Sequence, residues 1–522
     1  MILIIVWKYP NYLFLYMGNR EISTDKPALC KDPLVKKKDM FAKFRENTVG
    51  YNTEFNTPYG RKKMLYADWT ASGRLYRPIE EKLINEFGPY LGNTHTETNV
   101  TGTAMTLSYL RAKQLIKQHV NADAGDAIIA TGSGMTGAML KLQRMLGFKI
   151  PSRLRAKFKI SPEERPIVFI THMEHHSNQT TWLETIADVE VIEPDAEGLV
   201  DTKSLELLLD KYKERSVKIA SVTSCSNVTG IFTPYHKIAE IMHKHGGWCF
   251  VDFACSAPYI NIDMHPANPL QKLDAIFFSP HKFIGGPGST GILIFDRNLY
   301  DSHFSPDQPG GGTVKWTNPW GEHSYYEDVE LREDGGTPPF LQTIKAALAI
   351  RLKEEIGVEN IRLREEEITK KVFSRLKKIT NLHLLAENIE DRLPVISFYI
   401  DNMHYNLGVK ILNDRYGIQV RGGCSCAGTY GHYLLHVSKQ ESHKITSMIE
   451  HDDLSAKPGW IRMSLHPIMT DAEIDILLDA IEELSKNFRE WGGDYIYDAH
   501  ENMFIHESKP QIEKITVEKW FE

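Results

Sequence analysis

Ala275-Ile276-Phe277-Phe278-Ser279-Pro280-His281-Lys282-Phe283-Ile284-Gly285-Gly286-Pro287-Gly288 decides how this chain is read. Four apolar residues predict a strand, and the glycine-rich run predicts a turn directly after it. Lys282 falls between the two, with little freedom and no evident surface role. A lysine partly withdrawn from water loses basicity, because burial disfavours its charged form, and the free amine can form a Schiff base with an aldehyde. The solvated end of an ordinary strand looks the same, so the stretch takes its meaning from what accompanies it.

Upstream, Trp248-Cys249-Phe250-Val251 predicts another strand with Asp252 at its C-terminal end. Open α/β sheets gather their binding sites at such ends. A strand-end aspartate can also merely cap a turn. Further upstream, Ala127-Ile128-Ile129-Ala130 reads as a strand, Thr131-Gly132-Ser133-Gly134-Met135-Thr136-Gly137 as a turn, and Ala138 to Leu142 as the start of a helix. A strand–glycine turn–helix lets backbone N–H groups approach a phosphate at the positive end of the helix, with Ser133 adding a hydroxyl. A plain linker has the same composition. Together, a constrained lysine, a strand-end acid and a phosphate turn are what pyridoxal 5′-phosphate requires of a protein.

Two further stretches follow strand-like runs. Thr171-His172-Met173-Glu174-His175-His176-Ser177-Asn178 offers a ring to lie over a planar cofactor or to carry a proton, or else two surface histidines. In Ser224-Cys225-Ser226-Asn227-Val228-Thr229-Gly230, Asn227 is either a cofactor neighbour or a turn former.

In this order the parts resemble the fold-type I pyridoxal-phosphate enzymes of aminotransferase class V, in particular the cysteine desulfurase/selenocysteine lyase branch, from about Tyr66 to Leu484. Glu174-His175-His176-Ser177-Asn178 is similar to that branch's Glu-His-His-Ala-Asn, which implies that His175 stacks on the cofactor ring. Ser226-Asn227-Val228-Thr229-Gly230 is similar to its Ser-Asn-Val-x-Gly, which implies Asn227 beside the cofactor. By the same resemblance Ser279 and His281 contact the phosphate, Lys282 forms the Schiff base and Asp252 faces the pyridine nitrogen. Asn93-Thr94-His95 resembles an Asn-x-His at the active-site mouth, and Thr337 in Gly336-Thr337-Pro338 resembles the threonine that reaches the phosphate of a neighbouring subunit. A homodimer with shared sites is therefore expected.

The reaction turns on Val420-Arg421-Gly422-Gly423-Cys424-Ser425-Cys426-Ala427-Gly428. The family's Arg-x-Gly-x-x-Cys-Ala places the persulfide-forming cysteine on Cys426. Such chemistry needs a mobile thiolate, and a glycine-flanked loop beside Arg421 suits it. Arg462 matches the arginine that clamps the substrate carboxylate, a bidentate task for a guanidinium. The resemblance thus implies removal of sulfur from L-cysteine to leave alanine and an enzyme persulfide, passed on to a sulfur-acceptor protein. The alternative is another reaction on an amino acid by the same scaffold: transamination, epimerisation or β-elimination.

Three positions depart from the family pattern. Cys255 stands where a glutamine usually bonds the cofactor's phenolic oxygen. Ser133-Gly134-Met135 replaces a Thr-Thr-Glu phosphate loop and leaves more to backbone amides. Cys424 makes the loop Cys-x-Cys, and with His432 and His436 downstream it admits a zinc reading, although the ligands are crowded compared with ordinary zinc modules; no metal is assigned.

The 522 residues are 42% hydrophobic and 25% charged, enough for two domains with substantial cores. A net charge of -7 argues against a nucleic-acid binder. Six cysteines in this length do not form a disulfide framework and fit a reducing compartment, the cytoplasm. Met1 to Trp7 is apolar but interrupted by Lys8 and Pro10, a poor signal peptide and too short to span a bilayer, with Met17 a candidate start. The expected organisation is an arm over 1–60, irregular from Asp25 to Thr57; a large cofactor domain over 61–345 with a mostly parallel, seven-stranded-type sheet; a smaller α+β domain over 346–490; and a tail over 491–522 without an assigned role. A long helical pattern from Thr343 to Leu376 links the two domains, and a closing helix spans Asp471 to Lys486.

Overall fold

The computed structural model describes residues 39–155, 157–508 and 517–522. The apolar run Met1 to Trp7 and the candidate start at Met17 lie outside the described residues. From Phe41 onward the chain forms one unit.

Seven strands form the central sheet: β1 (Asp126–Thr131), β2 (Ile167–Thr171), β3 (Asp188–Ile192), β4 (Lys218–Thr223), β5 (Trp248–Asp252), β6 (Ala275–Phe278) and β7 (Gly291–Asp296). Their order is β1-β7-β6-β5-β4-β2-β3. β7 runs antiparallel to both its neighbours, and the other pairs are parallel. Continuous apolar runs fit a sheet covered on both faces; β2 and β6 are buried at every position. The parallel strands end together, so the turns after β2, β4, β5 and β6 converge on one edge, where a ligand site of such a sheet belongs.

A four-stranded antiparallel sheet follows, ordered β8-β9-β11-β10, from β8 (Leu382–Leu384), β9 (Val395–Ile400), β10 (Arg421–Gly423) and β11 (Trp460–Ser464). Its apolar cluster, built on Phe398, Ile461, Met463 and the inner face of helix Asp471–Trp491, is separate from that of the large sheet. The long helical pattern is two helices, Phe340–Ile356 and Val358–Leu376. Gly357, at φ +86°, divides them, a backbone angle that side-chain-bearing residues seldom adopt.

Two stretches are more ordered than the sequence suggests. In the supposed arm, Ala42–Asn47 is helical, and Phe41 and Phe44 are buried in the large core. In the tail, Tyr495–Asp498 and Met503–His506 pair as an antiparallel hairpin. Asn502 ties it down, donating to the Tyr405 hydroxyl at 2.8 Å and accepting from Asn406 Nδ2 at its carbonyl at 2.7 Å. Polar, turn-rich sequence conceals such segments because their few apolar anchors meet partners far along the chain. No helix among the described residues is long and apolar enough to cross a membrane.

Candidate active site

All the candidate residues except His95 and Thr337 line one cavity of about 310 Å³ at the C-terminal edge of the large sheet. Lys282 ends the short helical turn Pro280–Lys282 directly after β6. Burial lowers its pKa, and nearby Cys255 and Asp252 oppose that shift. Asp252 ends β5 and is buried; its Oδ1 accepts from the Ala254 N–H at 2.8 Å. Burial raises its carboxyl to about 6, with the Ala254 N–H and Lys282 working against it. A buried carboxylate with so little compensation is short of a cationic partner.

The glycine turn after β1 leads into helix Met135–Met145, as expected. Ser279 Oγ accepts from the Met135 N–H at 2.8 Å, which ties the turn after β6 to the start of that helix. A Cβ at Gly134 would lie 2.9 Å from Ser279 Oγ and 3.6 Å from the His281 ring. The hollow between these three residues therefore exists only because residue 134 lacks a side chain. Helix N-terminal amides, a serine, a hydroxyl-bearing turn and a histidine make a donor set suited to phosphate.

His175 caps the helix His176–Leu183, its Nδ1 accepting from the Ser177 N–H at 3.1 Å. Burial, then Lys282, lowers its pKa to about 3, so the ring is neutral and carries its hydrogen on Nε2. Glu174 fixes the turn that presents it: its carboxylate accepts from the Thr171 hydroxyl at 2.6 Å, Asn178 Nδ2 at 2.7 Å and the Thr223 N–H at 2.9 Å. Across the cavity, Asn227 donates through Nδ2 to the Ser425 carbonyl at 2.7 Å, while its Oδ1 is buried without a partner. The Cys255 thiol points to the Ser226 carbonyl at 3.6 Å and lies 4.0 Å from Cys225 Sγ.

Arg462, on β11, is 3% exposed. It donates to the Asn227 carbonyl at 3.1 Å and to Asp68 Oδ1 at 2.8 Å, and its Nε has no partner. Arg421 takes the other oxygen of the same carboxylate, Nε to Asp68 Oδ2 at 3.0 Å. The cation expected to favour a nearby thiolate is thus shared with an acid. Of the two loop cysteines, Cys426 is exposed and lines the cavity, whereas Cys424 is half-buried and does not line it. The zinc reading has no geometry behind it at His432, whose ring nitrogens are held by the Gly428 carbonyl at 2.7 Å and Ser442 Oγ at 2.9 Å.

His95 and Thr337 are the two candidates the cavity does not include. They are near each other: His95 Nε2 is 3.3 Å from the carbonyl of Gly336. Thr337 is exposed and lines a second cavity with Gly132, Asp334 and Phe340. Sequence reasoning expected the stretch Tyr66 to Gly73 to approach the substrate but singled out neither Asp68 nor His176. Asp68 is placed by a bridge between its own strand end and Ser464, a pairing without a local signal. His176 stood in plain view as half of a histidine pair.

The sequence model described as Aminotransferase class-V matches residues 65–477. A cysteine desulfurase of Haloferax volcanii is 25% identical over 421 residues, which cover 77% of this chain and 92% of that protein. A probable cysteine desulfurase of Halalkalibacterium halodurans is 28% identical over 370 residues, 70% of this chain and 84% of the relative. Among solved structures, a cysteine desulfurase from Thermococcus onnurineus NA1 in its apo form superposes with a TM-score of 0.67 at 22% identity, covering 85% of this chain and 97% of that one. The cysteine desulfurase CsdA from Escherichia coli gives 0.65 at 20% identity, over 85% and 98%. These superpositions establish a common fold.

Proposed function

This chain belongs to the aminotransferase class V family, and from that premise we propose that it is a pyridoxal-phosphate-dependent cysteine desulfurase, taking sulfur from L-cysteine to leave alanine and a persulfide on Cys426. The observation that carries the reading is that one cavity is lined by Lys282, Asp252, His175, two arginines and an exposed cysteine.

The cavity's residues fit the cofactor on their own chemistry. The hollow at Gly134 is bounded by phosphate donors, the buried Asp252 lacks a cation such as a protonated pyridine, and Asn227 Oδ1 lacks a donor such as a ring hydroxyl. Neutral His175 supplies a flat face. When bound through Lys282, pyridoxal phosphate supplies an electron sink for the substrate's α-carbon.

The chain's own groups then divide the work. Arg462 would receive the substrate carboxylate on the guanidinium N–H groups that Asn227 and Asp68 leave unused, the partnerless Nε among them. Lys282 Nζ, its basicity reduced by burial, is the group that would take the substrate's α-proton. Cys426 Sγ attacks the substrate sulfur. A sulfur–sulfur bond forms as the substrate's carbon–sulfur bond breaks, the electron pair stays with the carbon fragment, and protonation of that fragment gives alanine. Exposure of Cys426 suits later hand-over of the sulfur to an acceptor protein. His95 and Thr337, lying together outside the cavity, suit a homodimer in which each chain completes its partner's site.

One observation favours a second reading. Cys255 lines the cavity, but its thiol is engaged by the Ser226 carbonyl at 3.6 Å, so the cofactor's phenolic oxygen would be bonded differently here and another class V reaction would be served. Incubating the cofactor-loaded protein with L-cysteine and with other amino acids separates the two. Stoichiometric alanine and sulfide support the desulfurase, and keto acid without sulfide supports the alternative.

A further inference from the structure

The loop that carries Cys426 is held in an unusual shape by its surroundings. Ser425 and Cys426 stand at φ +52° and +57°, consecutive left-handed residues that an unrestrained chain avoids. Such a backbone persists only where neighbours over-determine it. Ser425 is fixed on one side, its carbonyl by Asn227 Nδ2 at 2.7 Å and its hydroxyl by Trp460 Nε1 at 3.2 Å.

On the other side two bonds from His176 do the fastening, beside one from Thr429 Oγ1 to Gln179 Oε1 at 2.8 Å. The His176 N–H donates to the Cys426 carbonyl at 2.7 Å. Its ring Nε2 accepts from the Gly428 N–H at 2.9 Å, so one residue grips the peptide units on both sides of Ala427. A Cβ at Gly428 would lie 3.2 Å from that nitrogen, a contact tight enough that the loop position opposite the ring suits glycine. Burial, then Lys457, lowers the His176 pKa, which leaves Nε2 free to accept.

We propose that His176 is a positioning residue for sulfur transfer: its imidazole latches the Cys426 loop in the conformation that presents the thiol to the cavity. This rests on the desulfurase reading for its consequence in catalysis, but the latch itself is a property of the folded chain. His176 does not line the cavity. It acts through the loop, whereas His175, the adjacent residue, faces the cavity.

The test uses the cofactor-loaded, full-length protein with His176→Phe, which keeps a ring but removes the acceptor, and His176→Gln, which restores an acceptor on a flexible stem. Both keep the backbone bond to Cys426. In His176→Phe, hydrogen exchange at the Gly428 amide should quicken about tenfold, the fold-change that one hydrogen bond of ordinary strength is worth. The single-turnover rate of persulfide formation on Cys426 should fall, while the cysteine concentration that half-saturates the cofactor's spectral change stays put. His176→Gln should recover part of both losses. Unchanged Gly428 exchange in His176→Phe overturns the latch. So does quickened exchange with an unchanged persulfide rate, or an equal loss in both variants. If the unsubstituted protein forms no persulfide, the desulfurase reading fails, and the Gly428 exchange rates still decide the latch by themselves.

Discussion

Asp68 Oδ1 lies 2.8 Å from Nη2 of Arg462, and this buried pair ties the segment that bridges Ser464 to β11, the strand that brings Arg462 to the cavity. Arg421 shares the carboxylate through its other oxygen at 2.9 Å. Two guanidiniums and one carboxylate leave a single net positive charge, which matches one α-carboxylate. Asp68 itself does not line the cavity; it aims the groups that do.

Asp68→Ala should therefore raise KM for L-cysteine about ten- to hundredfold, the equivalent of the ~1.5–3 kcal/mol of a hydrogen bond to a charged group. It should also destabilise the fold, because breaking a buried pair leaves Arg462 uncompensated, at a cost of ~3–5 kcal/mol. Asp68→Asn keeps an acceptor for Arg462 and should lose less of both. Steady-state kinetics and urea unfolding read the two effects, and an unchanged KM in Asp68→Ala would remove Arg462 from the carboxylate clamp.

Lys282→Ala should abolish the borohydride-fixed cofactor on the peptide that contains residue 282 and lower turnover by at least ~10²–10⁴-fold, the worth of a positioned proton carrier. Peptide mapping after reduction checks it. An adduct on a different lysine would displace the whole site assignment.

Stability should fall in mild acid, and His466 should contribute measurably. It is 4% exposed and lies against Trp69 with ring centroids 4.2 Å apart. Burial drives its pKa from 6.5 to about 3. Below 6.5 the unfolded chain takes up a proton that the folded state refuses. The stability is thus complete above 6.5 and drains away as pH falls toward 3, by up to ~1.4 kcal/mol per unit for one group. Unfolding free energies between about pH 7 and about pH 5 should fall less steeply in His466→Phe than in the unsubstituted protein. Equal slopes would mean that His466 is charged in the fold.

The protein should sediment as a dimer at micromolar concentration, and Thr337→Ala should weaken cofactor retention although Thr337 does not line the cavity around Lys282. A monomer with full activity would contradict shared sites.

The large sheet was legible because its strands are continuous apolar runs ended by turns that line the cavity: Ala275 to Lys282 and Trp248 to Asp252 each carry strand and candidate residue in one stretch. Gly134, His175 and Asn227 follow the same strand–turn logic, so local sequence sufficed. What stayed hidden is what the chain brings together from far apart. The Asp68–Arg462 pair, the hold of Asn227 on Ser425 and that of His176 on Gly428 each join residues from separate elements, and nothing near either partner announces the other. Gly357 was visible as a glycine, but helix-forming residues on both sides masked the break. The hairpin at 495–506 escaped notice because its anchors, Tyr405 and Asn406, sit on another element.

The central claim is that Cys426, and not Cys424, accepts sulfur from L-cysteine. Only Cys426 of the two lines the cavity, while Cys424 is packed beside it in the loop. Mass spectrometry of the cofactor-loaded protein after one turnover reads this directly. The extra sulfur should be found on the Cys426 side chain, should survive in Cys424→Ser and should vanish in Cys426→Ser with the cofactor's visible band retained. Sulfur on Cys424 that persists in Cys426→Ser, or no persulfide on either cysteine, would contradict the account.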